Sequence, residues 1–85
     1  MRGTDFAELS AFVAVAEQRS FAKAAVQLGI APSTLSQTIR SLEERLGVRL
    51  LNRTTRSVSV TEAGERLLGE LQPAFDRISL SLIHI

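Results

Sequence analysis

Residues 20–47, SFAKAAVQLGIAPSTLSQTIRSLEERLG, contain the pattern from which the fold is predicted. Ser20 is a good helix cap and Gly29 a good helix stop, so a short helix is predicted between them. After only the residues GIA, Pro32 opens another helix at the first helical position, where its missing N–H costs nothing, and Gly47 ends it. Two helices joined by a tight turn that contains glycine form a helix-turn-helix pattern.

Apolar residues recur at helical spacing through this stretch and in the segment before it. Thr4 can cap a preceding helix that is expected to end near Gln18. The small side chains of Ala24 and Ala25 let the two helices of the pattern cross closely. The positions expected to face the core are Phe6, Leu9, Phe12, Val13 and Ala16 in the first helix, Phe21, Ala24, Ala25 and Leu28 in the second, and Leu35, Ile39, Leu42 and Leu46 in the third.

The side of the third helix opposite its apolar stripe carries no acidic residue in its first half. A helical wheel places Ser33, Gln37 and Arg40 there, with Ser36 on the flank. Such a face suits a helix that reads base edges in a DNA major groove, because a carboxylate there would face phosphates. An ordinary solvated helix face has the same composition, so this pattern alone leaves both interpretations open.

A two-stranded wing is predicted after the third helix, in GVRLLNRTTRSVSVT (residues 47–61). The two valines of SVSV (57–60) alternate with serines and lie on one face of a short strand. Arg53 to Arg56 would form the tip, where Gly or Asn would make an easier turn. A wing beside a recognition helix lies over the DNA backbone or edges a minor groove, whose negative potential attracts arginine. The predicted wing contacts are therefore Arg53, Thr54 and Arg56.

Composition excludes several kinds of site. The 85 residues include no cysteine and one histidine, His84, so disulfides, thiolate metal sites and histidine clusters are excluded, and no cofactor or metal is expected. Tyr and Trp are also absent, and the Ser and Thr residues have no base partner, so an enzyme is the weakest interpretation. No apolar run reaches the roughly 18 to 20 residues of a membrane span, and a soluble cytoplasmic protein is expected.

The charges are segregated along the chain, although the formal net charge is only +1. Residues 19–61 carry seven basic and two acidic side chains, whereas the remainder carries three basic and seven acidic ones. Segregation of this kind indicates a face that binds a polyanion better than total charge does. A chance imbalance is the alternative.

A fourth helix is predicted from Thr61, which can cap it. Apolar residues then follow at heptad-like spacing to Ile85. The seam formed by these apolar residues begins too far along the chain for all of it to join the core of the helix-turn-helix. Much of it is therefore expected to pack on a second copy of the chain. The alternative is that this stripe faces the core of its own chain. Pro73 is expected to bend the helix locally. The predicted dimerisation residues are Leu68, Leu71, Phe75, Ile78 and Leu82.

From about Phe6 to Phe75, the chain resembles the N-terminal DNA-binding domain of LysR-type transcriptional regulators. The motifs that carry the resemblance are SFAKAA in the second helix, the block LSQTIRSLEERLGVRLL, and TEAG at the start of the fourth helix, in the family's order and spacing. The resemblance implies a mainly α fold: a winged helix-turn-helix of three helices plus a two-stranded wing, followed by a long linker helix that dimerises. The family normally adds a much larger effector-binding domain.

The resemblance also implies roles for individual residues. Ser20 and Lys23 match positions that hold phosphates, and Arg53 and Arg56 match wing positions, with one of them a candidate for the minor groove. Arg45 and Arg49 are left outside the predicted site, as surface charges or backbone contacts. The implied base-reading positions are Pro32, Ser33, Ser36 and Gln37, with Arg40 nearby.

Two residues depart from the family's pattern. Ala31 stands where a Ser cap is common, so the third helix is expected to start less firmly or to use Ser33 locally. Gln37 stands where Arg is frequent, so the preferred bases cannot be copied from relatives with Arg there.

The sequence thus predicts a winged helix-turn-helix DNA-binding domain over residues 1–60 and a linker and dimerisation helix over 61–85. No effector-binding domain is included, so an excised domain or a truncated product is expected, and the ending SLSLIHI could include residues foreign to the linker helix. The predicted function is sequence-specific binding of double-stranded DNA by a homodimer on paired half-sites, with no membrane contact and no small-molecule site in this chain. A winged-helix module that binds proteins and not DNA is the alternative.

Overall fold

The structure, a computed structural model, describes residues 3–54, 57–71 and 73. Its architecture is mainly helical with one two-stranded antiparallel sheet. This arrangement confirms the predicted winged helix-turn-helix. The elements are α1 (Gly3–Gln18), α2 (Phe21–Leu28), α3 (Pro32–Leu46), β1 (Leu51–Arg53), β2 (Val58–Val60) and α4, which is helical over residues 62–71.

The boundaries of α2 follow the predicted capping residues. Ser20 precedes the helix in an extended conformation, and its Oγ accepts a hydrogen bond from the Lys23 amide at 3.1 Å. Gly29 ends α2 with a φ of 70°, a left-handed conformation that glycine adopts without the steric penalty of a Cβ. The prediction for α1 needs a correction, because the chain is already helical at Gly3 and the expected cap, Thr4, lies inside the helix.

The start of α3 lacks a side-chain cap, as the alanine at that position predicts. Ala31 occupies the cap position without a side-chain hydrogen bond, and Pro32 follows at the start of the helix. At the other end, the amide of Gly47 donates to the Glu43 carbonyl at 2.8 Å. Both predicted ends of α3 are therefore confirmed.

The core lies where α1, α2 and α3 meet, and the wing packs against it. Ala24 and Ala25 are fully buried, as a close crossing of α2 and α3 requires. Two residues predicted for the core are instead exposed: Phe6 is 42% exposed and Leu46 is 46% exposed. Each lies near an end of its helix, beyond the region where the three helices pack together. The largest fully buried side chains are Phe12, Val15, Leu35, Ile39, Leu42, Leu50 and Leu51.

The wing is an antiparallel pair of short strands. Arg53 pairs with Val58, so Arg53 is the last residue of β1 and not part of the tip, which corrects the prediction. Ser57, predicted to begin the second strand, instead closes the tip, because its amide donates to Thr54 Oγ1 at 2.9 Å and its carbonyl accepts from the Thr54 amide at 2.8 Å. Val58 and Val60 pack partly buried against the core, as their alternation predicts.

Hydrogen bonds at Thr61 join α4 to the rest of the domain. Thr61 Oγ1 accepts from the Gly64 amide at 3.0 Å, as predicted for a cap, and donates to the Arg49 carbonyl at 2.6 Å. Gly64 is buried, and a Cβ at this position would collide with the Leu50 carbonyl oxygen and lie 2.5 Å from Val60 Cγ1. The first turn of α4 therefore packs directly on the backbone that precedes β1.

Part of the predicted dimerisation seam packs on its own chain. Leu68 and Leu71 lie partly buried against the core, as do Ala63 and Leu67. This part of the seam follows the alternative in which the stripe faces its own core, although both leucines keep some exposed surface. Phe75, Ile78 and Leu82 lie outside the described residues, as does the chain on either side of Pro73, where a bend is predicted.

Candidate nucleic-acid interface

The exposed side of α3 carries the predicted base-reading residues. Leu35, Ile39 and Leu42 are fully buried, which turns the opposite side of the helix to solvent. Ser36 is half-buried at the edge of this surface. No acidic residue lies in the first turn of the helix. The exposed members of the set are Pro32, Ser33, Gln37 and Arg40.

Ser20 and Lys23 lie together at the start of α2. The Lys23 side chain is exposed, whereas Ser20 is half-buried and its hydroxyl oxygen caps the helix. Lys23 can therefore contact a phosphate electrostatically. Ser20 can add its hydroxyl proton, since the cap uses the oxygen only as an acceptor.

Arg53 connects the wing to both helices of the helix-turn-helix. Its guanidinium carbon lies 4.2 Å from the centroid of the Phe21 ring, at the start of α2. Its Nη1 lies 3.5 Å from Ser36 Oγ on α3. The side chain is thus directed back over the helices. Thr54 is exposed beyond the end of β1, and Arg56 lies outside the described residues.

Glu43 fixes the wing to α3. Its Oε2 accepts hydrogen bonds from the amides of Leu50 and Leu51, at 2.7 and 3.2 Å. The carboxylate is therefore engaged with backbone at the start of the wing. No periodic pattern in the sequence signals this contact, because it joins residues seven and eight positions apart across an irregular turn.

A groove between α3 and β1 includes Arg49, which the sequence prediction left outside the site. Three arginines and two glutamates line the groove, which gives it a formal charge of +1, and the Glu43 carboxylate is engaged with the amides of Leu50 and Leu51. The sequence held a signal for Arg49, since it lies in the basic segment 19–61. The groove is lined by Arg40, Glu43, Glu44, Gly47, Val48, Arg49, Leu51 and Arg53.

The other arginine left outside the site, Arg45, contributes to helix packing. Its Nη2 lies 2.7 Å from Glu8 Oε1 on α1, and the Glu8 side chain is 13% exposed. This ion pair joins α1 to the C-terminal half of α3. Arg45 therefore has a contact within the fold, and its exclusion from the DNA site stays a prediction.

The surface offers hydroxyl, amide and guanidinium groups. Within the described residues, no group of three or more His, Cys, Asp or Glu side chains could hold a metal ion. No helix in that same part of the chain is long and apolar enough to cross a membrane.

The fold and this surface define the protein as a winged helix-turn-helix domain. Residues 6–65 match the profile of the family described as "Bacterial regulatory helix-turn-helix protein, lysR family". The chain therefore belongs to the LysR family, which confirms the resemblance seen in its motifs.

Similar proteins and structures agree with this assignment. The HTH-type transcriptional regulator PgrR of Escherichia coli strain K12 is 55% identical over 82 residues, which cover 96% of this chain and 27% of PgrR. Oxidised OxyR of Corynebacterium glutamicum has a TM-score of 0.82 and 44% identity, over 92% of this chain and 25% of that one. A complex of BenM_DBD with catB site 1 DNA has a TM-score of 0.80 and 38% identity, over 91% of this chain and 86% of that one. The chain spans about a quarter of the length of the curated relatives it matches.

Proposed function

We propose that this chain binds double-stranded DNA sequence-specifically, as the DNA-binding domain of a LysR-type transcriptional regulator. The observation that carries the proposal is the exposed, acid-free first half of α3 beside the basic groove that α3 forms with β1. The DNA complex of the similar BenM_DBD supports it. In this proposal α3 enters the major groove and the wing lies beside a minor groove.

Two sets of residues have different tasks in this proposal. Phosphate contacts fix the register of the domain on the duplex, while side chains on α3 distinguish the bases. Gln37 is suited to adenine, since its side-chain amide can accept a hydrogen bond from N6 and donate one to N7. Arg49 joins the phosphate set because it lines the same groove as Arg53. The proposed base-reading residues are Pro32, Ser33, Ser36, Gln37 and Arg40, and the proposed backbone and wing contacts are Ser20, Lys23, Arg49, Arg53, Thr54 and Arg56.

We further propose that the domain acts as a homodimer on paired half-sites. Residues 1–60 would contact DNA and residues 61–85 would form the linker and dimerisation helix. The exposed parts of Leu68 and Leu71 would begin a seam that continues through Phe75, Ile78 and Leu82. The whole protein is proposed to be a cytoplasmic, non-enzymatic regulator with an effector-binding domain after this one.

Fluorescence-anisotropy titration of the chain with duplex DNA at low and high salt tests the DNA-binding proposal. We expect log K to fall linearly with log salt concentration, with a slope of about −0.9 for each phosphate neutralised. Absent or salt-independent binding would contradict the proposal and favour the protein-interaction module.

The variant Lys23→Ala is expected to weaken binding to all duplex sequences by a similar factor and to reduce the salt slope by about one, because Lys23 neutralises a phosphate and touches no base. Titrations on two unrelated duplexes at several salt concentrations measure both effects. Arg66→Ala is the matched control, since it removes a positive charge from α4, where Arg66 pairs with Glu62 at 3.5 Å. A change confined to one duplex sequence, or an equal loss in both variants, would contradict the phosphate role of Lys23.

A further inference from the structure

The face of the Phe21 ring holds a cation. Phe21 is the first residue of α2 and packs partly buried against the core, so part of its ring stays at the surface. The Arg53 guanidinium carbon lies 4.2 Å from the ring centroid, within the distance at which the ring quadrupole attracts a cation. The sequence pattern assigns Phe21 only to the core, and the stacked arginine gives it a second contact.

The stacked guanidinium also reaches the proposed base-reading helix. Arg53 Nη1 lies 3.5 Å from Ser36 Oγ, so one side chain contacts α2 and α3 while its backbone belongs to β1. A guanidinium carries five N–H donors, so those that point neither at the ring nor at Ser36 stay available to DNA.

The backbone of Arg53 is held as well. Its strand pairs with β2 through Val58, and the strand's start is bonded to α3 through the Glu43 carboxylate. The remaining freedom lies in the long Arg53 side chain, which would lose rotamer entropy when it binds DNA. Stacking on Phe21 removes part of that freedom before DNA arrives.

We propose that Phe21 is a positioning residue for DNA recognition: its ring holds the Arg53 guanidinium against α3, so that the wing arginine and the recognition helix meet the duplex as one preorganised unit. This inference rests on the proposed function, which assigns DNA contacts to Arg53 and Ser36. Phe21 itself touches no DNA in this account and acts through Arg53.

A double-mutant cycle on DNA affinity tests the inference. Phe21→Leu keeps an apolar side chain but removes the ring, and it is expected to weaken binding to one fixed duplex about three- to tenfold, the loss that corresponds to ordering one long side chain. In an Arg53→Ala background, the same substitution is expected to have no further effect, because the cation it positions is gone. Phe21→Tyr keeps the ring face and is expected to bind as the wild type does.

Arg53→Lys changes the exposed residue of the Phe21–Arg53 pair, where a substitution is not expected to prevent folding. It keeps the charge but lacks the planar group, so it is expected to lose affinity although it can still neutralise a phosphate. Circular dichroism and urea unfolding would establish that each variant is folded under the titration conditions.

These experiments distinguish a failure of the inference about Phe21 from a failure of the proposed DNA-binding function. Three results would each overturn the inference while leaving DNA binding intact. The first is that Phe21→Leu and Arg53→Ala affect affinity independently. The others are wild-type affinity in Phe21→Leu and wild-type affinity in Arg53→Lys. Loss of salt-dependent binding in the wild-type chain would refute the proposed function, and the inference with it.

Discussion

Replacing Gly64 with alanine is expected to lower the free energy of unfolding by about 2 to 3 kcal/mol, because the added methyl group overpacks a close contact. The new Cβ would collide with the Leu50 carbonyl oxygen and lie 2.5 Å from Val60 Cγ1. That carbonyl cannot turn away without loss, since it accepts the Thr61 amide at 3.0 Å. Relief of the collision therefore displaces either α4 or the backbone that precedes the wing.

Gly69→Ala provides the matched control in the same helix. A Cβ at Gly69 meets no atom within 4 Å, so alanine there is expected to raise stability by about 0.5 to 1 kcal/mol through its higher helix propensity. Urea unfolding followed by circular dichroism measures both variants. Equal stability changes in the two alanine variants would show that α4 does not pack on the wing as the structure has it.

Glu43→Ala is expected to lower the free energy of unfolding by about 2 kcal/mol and to loosen the wing. The substitution removes the acceptor of two charge-assisted hydrogen bonds, from the amides of Leu50 and Leu51, in a partly buried position. Urea unfolding measures the stability change. Hydrogen exchange localises it, because those two amides are expected to exchange faster.

Glu44→Ala removes the same charge from the next residue, which is exposed. The free energy of unfolding of this variant is expected to change by less than about 0.5 kcal/mol, as is usual for surface substitutions. Like losses of stability in the two variants would mean that the charge of Glu43, and not its hydrogen bonds to the wing, accounts for the effect.

The parts of the fold that local chemistry determines could be predicted from the sequence. Ser20 and Thr61 cap their helices through contacts within three residues, and Gly29 and Gly47 end theirs in the left-handed conformation. Each of these features depends on the conformational preference or side-chain oxygen of one residue, so the residue type indicates it. The same reasoning misplaced the start of α1, where Thr4 lies inside the helix.

The contacts that organise the candidate interface depend on the tertiary fold and could not be predicted in this way. Arg53 contacts Ser36 across 17 positions of sequence, and Glu43 reaches the wing across an irregular turn. Arg53 was expected at the tip of the wing, whereas its pairing with Val58 places it at the end of β1, where its side chain reaches Phe21. Periodicity identifies which side of α3 faces solvent, but it contains no information on which neighbouring side chains meet there.

Selection of binding sites from a random duplex library, performed in parallel with the wild-type chain and Gln37→Ala, tests whether α3 reads DNA bases. Gln27→Ala is the control, since this exposed amide lies on α2 and bonds with Gln18 at 2.7 Å. We expect wild type and control to enrich the same paired half-sites, with centres about one helical turn apart or a multiple of it. Gln37→Ala is expected to keep that spacing and change the preferred base at one position of each half-site. Failure of the wild-type chain to enrich any sequence, or an unchanged base preference in Gln37→Ala, would contradict the claim that α3 reads DNA.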